Sequence, residues 1–227
     1  MKDSKDYSKK VRKLVSSLKR QYAKVTNPEY DDPLEALVYG IISEYTDLSA
    51  SKTITKKMKS YFVDLNDMRV SRTDEILDIL GSSSEHPKRT ATTLREALNS
   101  VFNKYDVVSL EAFEEMGKRH AKKVLDKLEG ASPFSINYCF LAALGGHAIP
   151  LTQKMLEYLK ANELVHPEAS DEEIAGFLER QISAANAYRF YWLLRRETEG
   201  GSGKYGTKTA GKTKKKTARR TKSRKKK

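Results

Sequence analysis

Apolar residues recur every three to four positions along most of residues 1–199, which is the spacing that places side chains on one face of an α-helix. The first such stripe, in residues 3–24, consists of Val11, Leu14, Val15, Leu18 and Tyr22. Lysines lie on the other face, so this segment is predicted to be an amphipathic helix packed on the body of the protein. A basic transit peptide is the alternative interpretation, but Asp3 and Asp6 count against it because such peptides are poor in acidic residues.

Start and stop signals divide the remaining sequence into further helices. Asp31-Asp32-Pro33 predicts a helix start, since a carboxylate can cap the first turn and proline fits its first position. Residues 46–51 are expected to form a turn between two helices. Ser71 is expected to cap a helix that Gly81 ends, and Ser170 with the acidic residues after it marks a later start. The sequence offers Val107-Val108 as its only β-like dipeptide.

The predicted fold class is therefore all-α, a two-lobed helical bundle. One lobe is expected to contain residues 33–47 and the helices from about 94 to 165. The N-terminal and C-terminal helices are expected to form or flank the other lobe. The predicted domain boundaries are 1–199 for the helical domain and 200–227 for a C-terminal tail.

A helix-hairpin-helix is predicted near the middle of the chain. A helix ending near Leu128 turns through Gly130, and a second helix starts at Pro133 behind a Ser132 N-cap. Such a hairpin directs backbone N–H groups and a helix N-terminus outward, where they can hold a phosphate. The predicted DNA-binding residues of the body are Lys122, Lys123, Lys127, Gly130, Ala131 and Ser132. An ordinary corner between two helices and a solvated lysine-rich face are the structural alternatives.

The same stretch resembles the core of the endonuclease III-like DNA glycosylases, the HhH-GPD superfamily. The family pattern Leu-Pro-Gly-Val-Gly-x-Lys corresponds here to Leu128-Glu129-Gly130-Ala131-Ser132-Pro133-Phe134. After an apolar helix, the family's Pro-Val-Asp-Thr-His corresponds to Pro150-Leu151-Thr152-Gln153-Lys154, with no gap between the two motifs. Ile42-Ser43-Glu44-Tyr45-Thr46-Asp47 is similar to the family's Leu-Ser-Gln-x-Thr-x-Asp, one residue short. The resemblance covers roughly residues 30–195.

This resemblance implies a glycosylase-like body that binds duplex DNA, and it also implies that both catalytic positions have changed. Phe134 stands where the family has its lysine nucleophile, and Thr152 stands where it has its aspartate. Attack on the sugar needs an amine, and stabilisation of an oxocarbenium-like transition state needs a carboxylate. No catalytic residue is therefore expected at the family positions. An active monofunctional glycosylase with a displaced carboxylate is the alternative, with Glu44, Asp47 and Glu157 as fallback acids. Lys154 and Glu157 would serve only if the site moved by part of a helical turn.

No metal or cofactor is expected. Cys139 is the only cysteine, which leaves no disulfide within one chain and too few ligands for the four-cysteine iron–sulfur cluster that many endonuclease III relatives carry. It lies on the apolar face of a predicted helix and is interpreted as a small core residue. The four histidines show no metal-ligand spacing.

The positive charge of the chain is concentrated in its tail. The net charge is +13, and residues 204–227 contain 13 Lys and Arg and no acidic residue, so residues 1–203 are neutral overall. A glycine-rich joint precedes this tract, which has little to bury, is similar to linker-histone tails and is expected to be disordered when free. The predicted DNA-binding residues of the tail are Lys204, Lys214, Lys215, Lys216, Arg219, Arg220 and Arg224.

These features lead to three hypotheses for function. The first is a catalytically degenerate DNA-binding protein of the base-excision-repair superfamily, which grips duplex phosphates with the hairpin and the tail. The second is an active monofunctional DNA glycosylase, and the third is a protein-interaction scaffold in which only the tail touches DNA. RNA binding through the tail stays open, as do an anionic membrane surface and a nuclear-import signal. No apolar run approaches the ~20 residues of a membrane span. The expected location is intracellular and DNA-associated, in a nucleoid or a nucleus.

Overall fold

The computed structural model describes residues 4–22, 25–81 and 84–200. These residues form twelve α-helices and no β-strand, which confirms the all-α prediction. The predicted basic tail lies outside the described residues. The helices are α1 (Ser4–Gln21), α2 (Pro33–Glu44), α3 (Leu48–Tyr61), α4 (Leu65–Val70), α5 (Thr73–Leu80), α6 (Pro87–Tyr105), α7 (Ala112–Glu115), α8 (Lys118–Leu125), α9 (Pro133–Ala142), α10 (Gln153–Ala161), α11 (Asp171–Gln181) and α12 (Ala184–Gly200).

The N-terminal amphipathic helix is confirmed for the part that the structure describes. Val11, Leu14 and Leu18 of α1 are buried, and Val15 and Tyr22 pack against the core from partly exposed positions. The helix lies against α11 and α12. The apolar stripe therefore joins the two ends of the body.

The helices pack as two groups, as predicted. In the first group, α2 lies against α3, α6 and α9, while α6 also contacts α4 and α5, and α8 contacts α9. In the second group, α1 and α10 pack against α12, which also reaches α9. Helix α10 was expected in the hairpin lobe, and this expectation is wrong because α10 packs against α12. The apolar stripe of α10 identified its buried face but not the helix that covers it.

The centre of the first group is the close contact between α2 and α9. A Cβ atom on Gly40 would lie 3.0 Å from the Cα atom of Ser135, so the absence of a side chain at Gly40 lets the two backbones approach. The carboxylate of Asp32 caps α2 by accepting from the N–H of Leu34 at 2.7 Å, and it also accepts from the N–H of Leu110 at 3.0 Å. The approach at Gly40 brings the C-terminal half of α2 against the first turn of α9.

Two predicted helix starts need correction. Ser71 ends the short helix α4 and donates its hydroxyl hydrogen bond to Met68 O at 2.7 Å, whereas α5 begins after Arg72, whose N–H is held by the Glu75 carboxylate at 2.9 Å. Residues 46–51 were expected to be a turn, but α3 already begins at Leu48. In both places only a short turn separates two helices. A polar residue in such a turn can belong to the end of one helix or to the start of the next.

Candidate nucleic-acid interface and cleft

The predicted helix-hairpin-helix is present, formed by α8, the turn at residues 126–132 and α9. Gly130 has φ of +79°, a conformation that residues with a side chain rarely adopt. A Cβ atom there would also lie 2.6 Å from Glu96 Cβ and 3.0 Å from Ala97 N on α6. Glycine is therefore required both by the backbone of the turn and by its contact with α6.

Part of the hairpin backbone is already bonded within the fold. The N–H of Glu129 donates to Ser100 Oγ at 3.1 Å, and the N–H of Ser132 donates to Ser135 Oγ at 3.0 Å. Across the described ranges, the N–H groups of Gly130 and Ala131 have no hydrogen-bond partner. Gly130 is exposed and Ala131 is half-buried, so this turn offers two N–H groups to a ligand.

Ser132 serves the fold at the start of α9. Its hydroxyl oxygen accepts from the N–H of Ser135 at 3.1 Å, which caps the helix. The same hydroxyl donates to Glu44 Oε2 at 2.6 Å. Glu44 ends α2, so this bond joins the hairpin to the central helix.

The lysines of α8 and of the turn differ in whether they form an ion pair. Lys122 forms an ion pair with Asp126, while Lys123 and Lys127 are exposed and take part in no ion pair with any described residue. Lys123 also lines an open surface groove of about 620 Å³ together with Gly117, Lys118, Arg119 and His120. The groove carries positive charge and no carboxylate. It extends the basic surface from the turn along the first hairpin helix.

A cleft of about 610 Å³ lies beside the hairpin and is lined by both positions that the resemblance singled out, Phe134 and Thr152. Glu44 lines it as well. The other two fallback acids lie outside it. Asp47 caps α3 by accepting from the N–H of Ala50 at 2.7 Å, and Glu157 is exposed on α10.

The two replaced positions are occupied by side chains that stabilise the fold. Phe134 is only 6% exposed, and its ring centre lies 6.4 Å from that of Tyr191. Thr152 is 7% exposed and caps α10, its hydroxyl accepting from the N–H of Met155 at 3.4 Å. Neither supplies an amine or a carboxylate to the cleft.

A buried arginine behind Phe134 is the main feature that the sequence did not reveal. Arg195 is 1% exposed, and its guanidinium carbon lies 5.7 Å from the centre of the Phe134 ring. It donates to Glu199 Oε1 at 2.8 Å, to the hydroxyl of Tyr191 at 2.7 Å, to the carbonyl of Thr46 at 2.7 Å, and to the carbonyl of Ser43. Burial raises the pKa of the Tyr191 hydroxyl, so Tyr191 stays a neutral partner of the guanidinium.

Arg195 and Glu199 together join α12 to the turn between α2 and α3. Arg195 donates to the carbonyl groups of Ser43, in the last turn of α2, and of Thr46, in the turn after it. Glu199 Oε2 accepts from the N–H of Leu48, at the start of α3, at 2.8 Å. The spacing of Tyr191, Arg195 and Glu199 at every fourth position was the available signal, since it places a charged pair on the apolar face of α12.

The described residues provide no group of three or more His, Cys, Asp or Glu side chains that could hold a metal ion. Cys139 is buried, as interpreted, and its thiol donates to the carbonyl of Pro33 at 3.2 Å. Burial raises the pKa of this thiol to about 12. None of the described helices is long and apolar enough to cross a membrane.

Comparison with known proteins gives matches at the level of structure. No protein-family model matches the chain, and no curated protein matches it in sequence. Solved structures do match it. An endonuclease III trapped as a covalent intermediate with DNA has a TM-score of 0.64 at 15% identity, covering 84% of this chain and 85% of that one. The fold is that of the endonuclease III-like, HhH-GPD DNA glycosylases.

Other structures with this fold give similar values. A thermostable thymine-DNA glycosylase matches with a TM-score of 0.63 at 15% identity, covering 86% of this chain and 88% of that one. An H. pylori 3-methyladenine DNA glycosylase bound to 1,N6-ethenoadenine matches with a TM-score of 0.63 at 17% identity, covering 87% and 98%. In this fold, Phe134 and Thr152 line a cleft next to the hairpin.

Proposed function

We propose that the protein binds duplex DNA through its helix-hairpin-helix and its basic tail and does not release bases. One observation carries this proposal. The hairpin keeps two unbonded N–H groups at Gly130 and Ala131, while the cleft beside it has Phe134 and Thr152 in place of an amine and a carboxylate. The duplex-binding element is retained, and the family's chemical groups are not.

The hairpin suits a phosphate for simple electrostatic reasons. Backbone N–H groups near a helix N-terminus carry partial positive charge, and they bind phosphate oxygens without reading the sequence. The exposed ammonium groups of Lys123 and Lys127 lie on the helix and turn that lead into this site. The ammonium group of Lys122 can contact a phosphate only when its ion pair with Asp126 opens or is shared with that phosphate.

The tail would hold the same duplex. Helix α12 continues to Gly200, and Glu199 lines the cleft, so the chain leaves the described body at the edge of this cleft. The 13 cations of residues 204–227 therefore follow the cleft directly in the chain. We propose the helical domain, residues 1–199, and the tail, residues 200–227, as two binding units, with the predicted DNA-binding residues of the tail as phosphate contacts. RNA is a second polyanion that we propose for the tail to bind. The proposed location of the protein is a nucleoid or a nucleus.

A second candidate function, that of a monofunctional glycosylase, is favoured by the position of Glu44. It is the one fallback acid that lines the cleft. Against it, the Glu44 carboxylate already accepts the hydroxyl of Ser132 at 2.6 Å and thereby supports α9. The candidate requires that Glu44→Gln abolish base release while duplex binding persists.

The hairpin is tested in a chain shortened to residues 1–203, so that the tail does not mask the result. We expect Lys123→Ala with Lys127→Ala to weaken duplex binding about ten-fold or more at low salt, since two phosphate contacts are lost. Lys56→Ala with Lys57→Ala, which removes two exposed lysines of α3, is the matched control and should leave affinity nearly unchanged.

The turn itself is tested by Gly130→Ala in the same shortened chain. Because the new Cβ atom would press on Glu96 and Ala97 at a positive φ, we expect the free energy of unfolding to fall by about 1–3 kcal/mol and duplex affinity to fall with it. Gly176→Ala, on α11, is the control, since its Cβ atom would meet only the end of the Arg180 side chain, at 3.5 Å. The hairpin is not a DNA contact if the Lys123→Ala, Lys127→Ala variant binds DNA as tightly as its lysine control and Gly130→Ala binds as tightly as its glycine control.

A further inference from the structure

The exposed side of α1 carries a row of positive charge. The helix contains seven Lys and Arg and one acidic residue, Asp6. An α-helix turns by about 100° per residue, so six of the seven cations fall within about 120° of its circumference. These six residues are all exposed and form the α1 basic face: Lys5, Lys9, Arg12, Lys13, Lys19 and Arg20.

Few of these charges are neutralised within the fold. Lys9 pairs with Asp6 at 3.6 Å, and the two side chains are 75% and 77% exposed, so water screens this pair. Lys19 donates to the amide oxygen of Asn186 at 3.5 Å. The other four members of the face form no ion pair with any residue that the structure describes. Most of the charge is therefore available to a partner.

The arrangement is unfavourable for α1 by itself. Like charges four residues apart on a helix repel one another, and Lys9 has Lys5 and Lys13 at that spacing. Lys5 also lies in the first turn, where the helix dipole disfavours a cation. Carboxylates are plentiful elsewhere, since residues 25–203 contain 28 Asp and Glu and 21 Lys and Arg. A row of cations that repel one another in the free protein indicates a polyanionic partner.

The α1 basic face is held in place at both ends of its helix. The ammonium group of Lys10 donates to the carbonyl of Glu163 at 2.9 Å. At the other end, the hydroxyl of Tyr22 donates to Glu197 Oε2 at 2.6 Å. Helix α1 packs against α11 and α12, whereas the hairpin helix α8 packs against α9, which contacts α12. The face and the hairpin therefore lie on different helix groups of the body.

The shape of the face favours a nucleic-acid duplex as this partner. From Lys5 to Arg20 it extends for about 22 Å along one rigid helix, at 1.5 Å per residue. Duplex DNA is a rigid rod with one phosphate charge for about every 1.7 Å of its axis. Membrane-bound amphipathic helices insert their apolar side into the lipid. Here Val11, Leu14 and Leu18 are at most 1% exposed, so that side is covered by the body.

From these observations we propose that the α1 basic face binds the phosphates of a second duplex, so that one chain holds two duplexes together. The contacts are electrostatic and independent of sequence. This inference goes beyond the proposed function and rests on it only for the first duplex, which is bound at the hairpin.

The test mixes the full chain with two duplexes of equal length, one labelled with a fluorescence donor and the other with an acceptor. Energy transfer between the labels reports that two duplexes are held together, and sedimentation measures how many duplexes and chains each complex contains. We expect complexes of one chain with two duplexes when duplex is in excess. The 13 cations of residues 204–227 can also reach a second duplex, so substitutions in α1 decide.

The deciding variant combines Lys5→Gln, Arg12→Gln and Lys13→Gln, which removes three cations without an ion pair to any described residue. We expect affinity for the second duplex to fall about ten-fold or more at low salt. The slope of log K against log salt for this second step should become shallower by about 2.7, since three phosphate contacts are lost. Affinity for the first duplex should stay nearly unchanged. Circular dichroism checks that the variant keeps its helix content.

The matched control combines Lys52→Gln, Lys56→Gln and Lys57→Gln, which removes three exposed lysines of α3 and should change neither binding step. Equal affinities of the two triple variants for the second duplex would overturn the inference, as would complexes that never contain more than one duplex per chain.

Vesicles that contain phosphatidylserine test the membrane as the partner. If the α1 variant loses binding to these vesicles but keeps the second duplex, the inference is overturned and the face belongs to a membrane. Failure of the second step alone refutes this inference and leaves the proposed function intact. A native chain that binds no duplex refutes both.

Discussion

Replacing Arg195 with methionine is expected to destabilise the protein by about 3–5 kcal/mol, the usual cost of removing one partner from a buried charged network. The substitution fills much of the volume but leaves the carbonyls of Ser43 and Thr46, the hydroxyl of Tyr191 and one oxygen of Glu199 without their donor. Urea denaturation of the full chain, followed by circular dichroism, measures the loss.

Arg196→Met provides the matched control for that experiment. Arg196 is the next residue, is exposed, and packs its guanidinium over the ring of Trp192 at 5.3 Å. An exposed contact of this kind contributes about 0.5–1 kcal/mol, so the control should lose far less stability. If both variants unfold at the same urea concentration, Arg195 does not hold α12 to the turn after α2.

Removal of the tail is expected to have the largest effect on DNA affinity. If six or more of the 13 tail cations contact phosphates, counterion release gives a slope of log K against log salt of about −5, so raising salt from 50 to 200 mM weakens binding by about 10³-fold. Truncation after Gly203 should leave a slope of about −2, from a few contacts at the hairpin.

Substitutions that keep or remove the charge of two tail arginines provide the control for truncation. Arg219→Lys with Arg220→Lys keeps both charges and should preserve the slope. Arg219→Gln with Arg220→Gln should make it shallower by about 1.8 if both side chains contact phosphates. An unchanged slope after truncation would show that the tail is not the DNA-binding arm and that the neutral body contributes more than its overall charge suggests.

Local signals in the sequence were sufficient for the hairpin. Gly130 and Ser132 act on their immediate neighbours, one by adopting a positive φ and the other by capping α9, so their roles follow from nearby residues. The same holds for Asp32 at the start of α2. Element type and turn position were therefore predictable along most of the body.

Contacts between residues that are far apart in the chain could not be predicted from the sequence. The bond from Ser132 to Glu44 spans 88 positions, and the bond from Arg195 to Thr46 spans 149. Helix periodicity says that a face is buried, but it does not say against what, which is also why α10 was placed in the wrong lobe. Arg195, buried behind Phe134, became visible only in the fold.

The proposed function predicts that the protein binds duplex DNA without releasing bases, and base release from fully occupied duplexes measures this. The purified full chain is held with duplexes that contain uracil, an oxidised pyrimidine or an alkylated base, at a concentration at which a binding assay shows every duplex to be occupied. Free base is then measured by mass spectrometry, with an active glycosylase as the positive control. We expect occupied duplexes and no free base above the protein-free blank. Release of any of these bases that depends on the protein would contradict the proposed function, and its loss in Glu44→Gln would assign it to the second candidate.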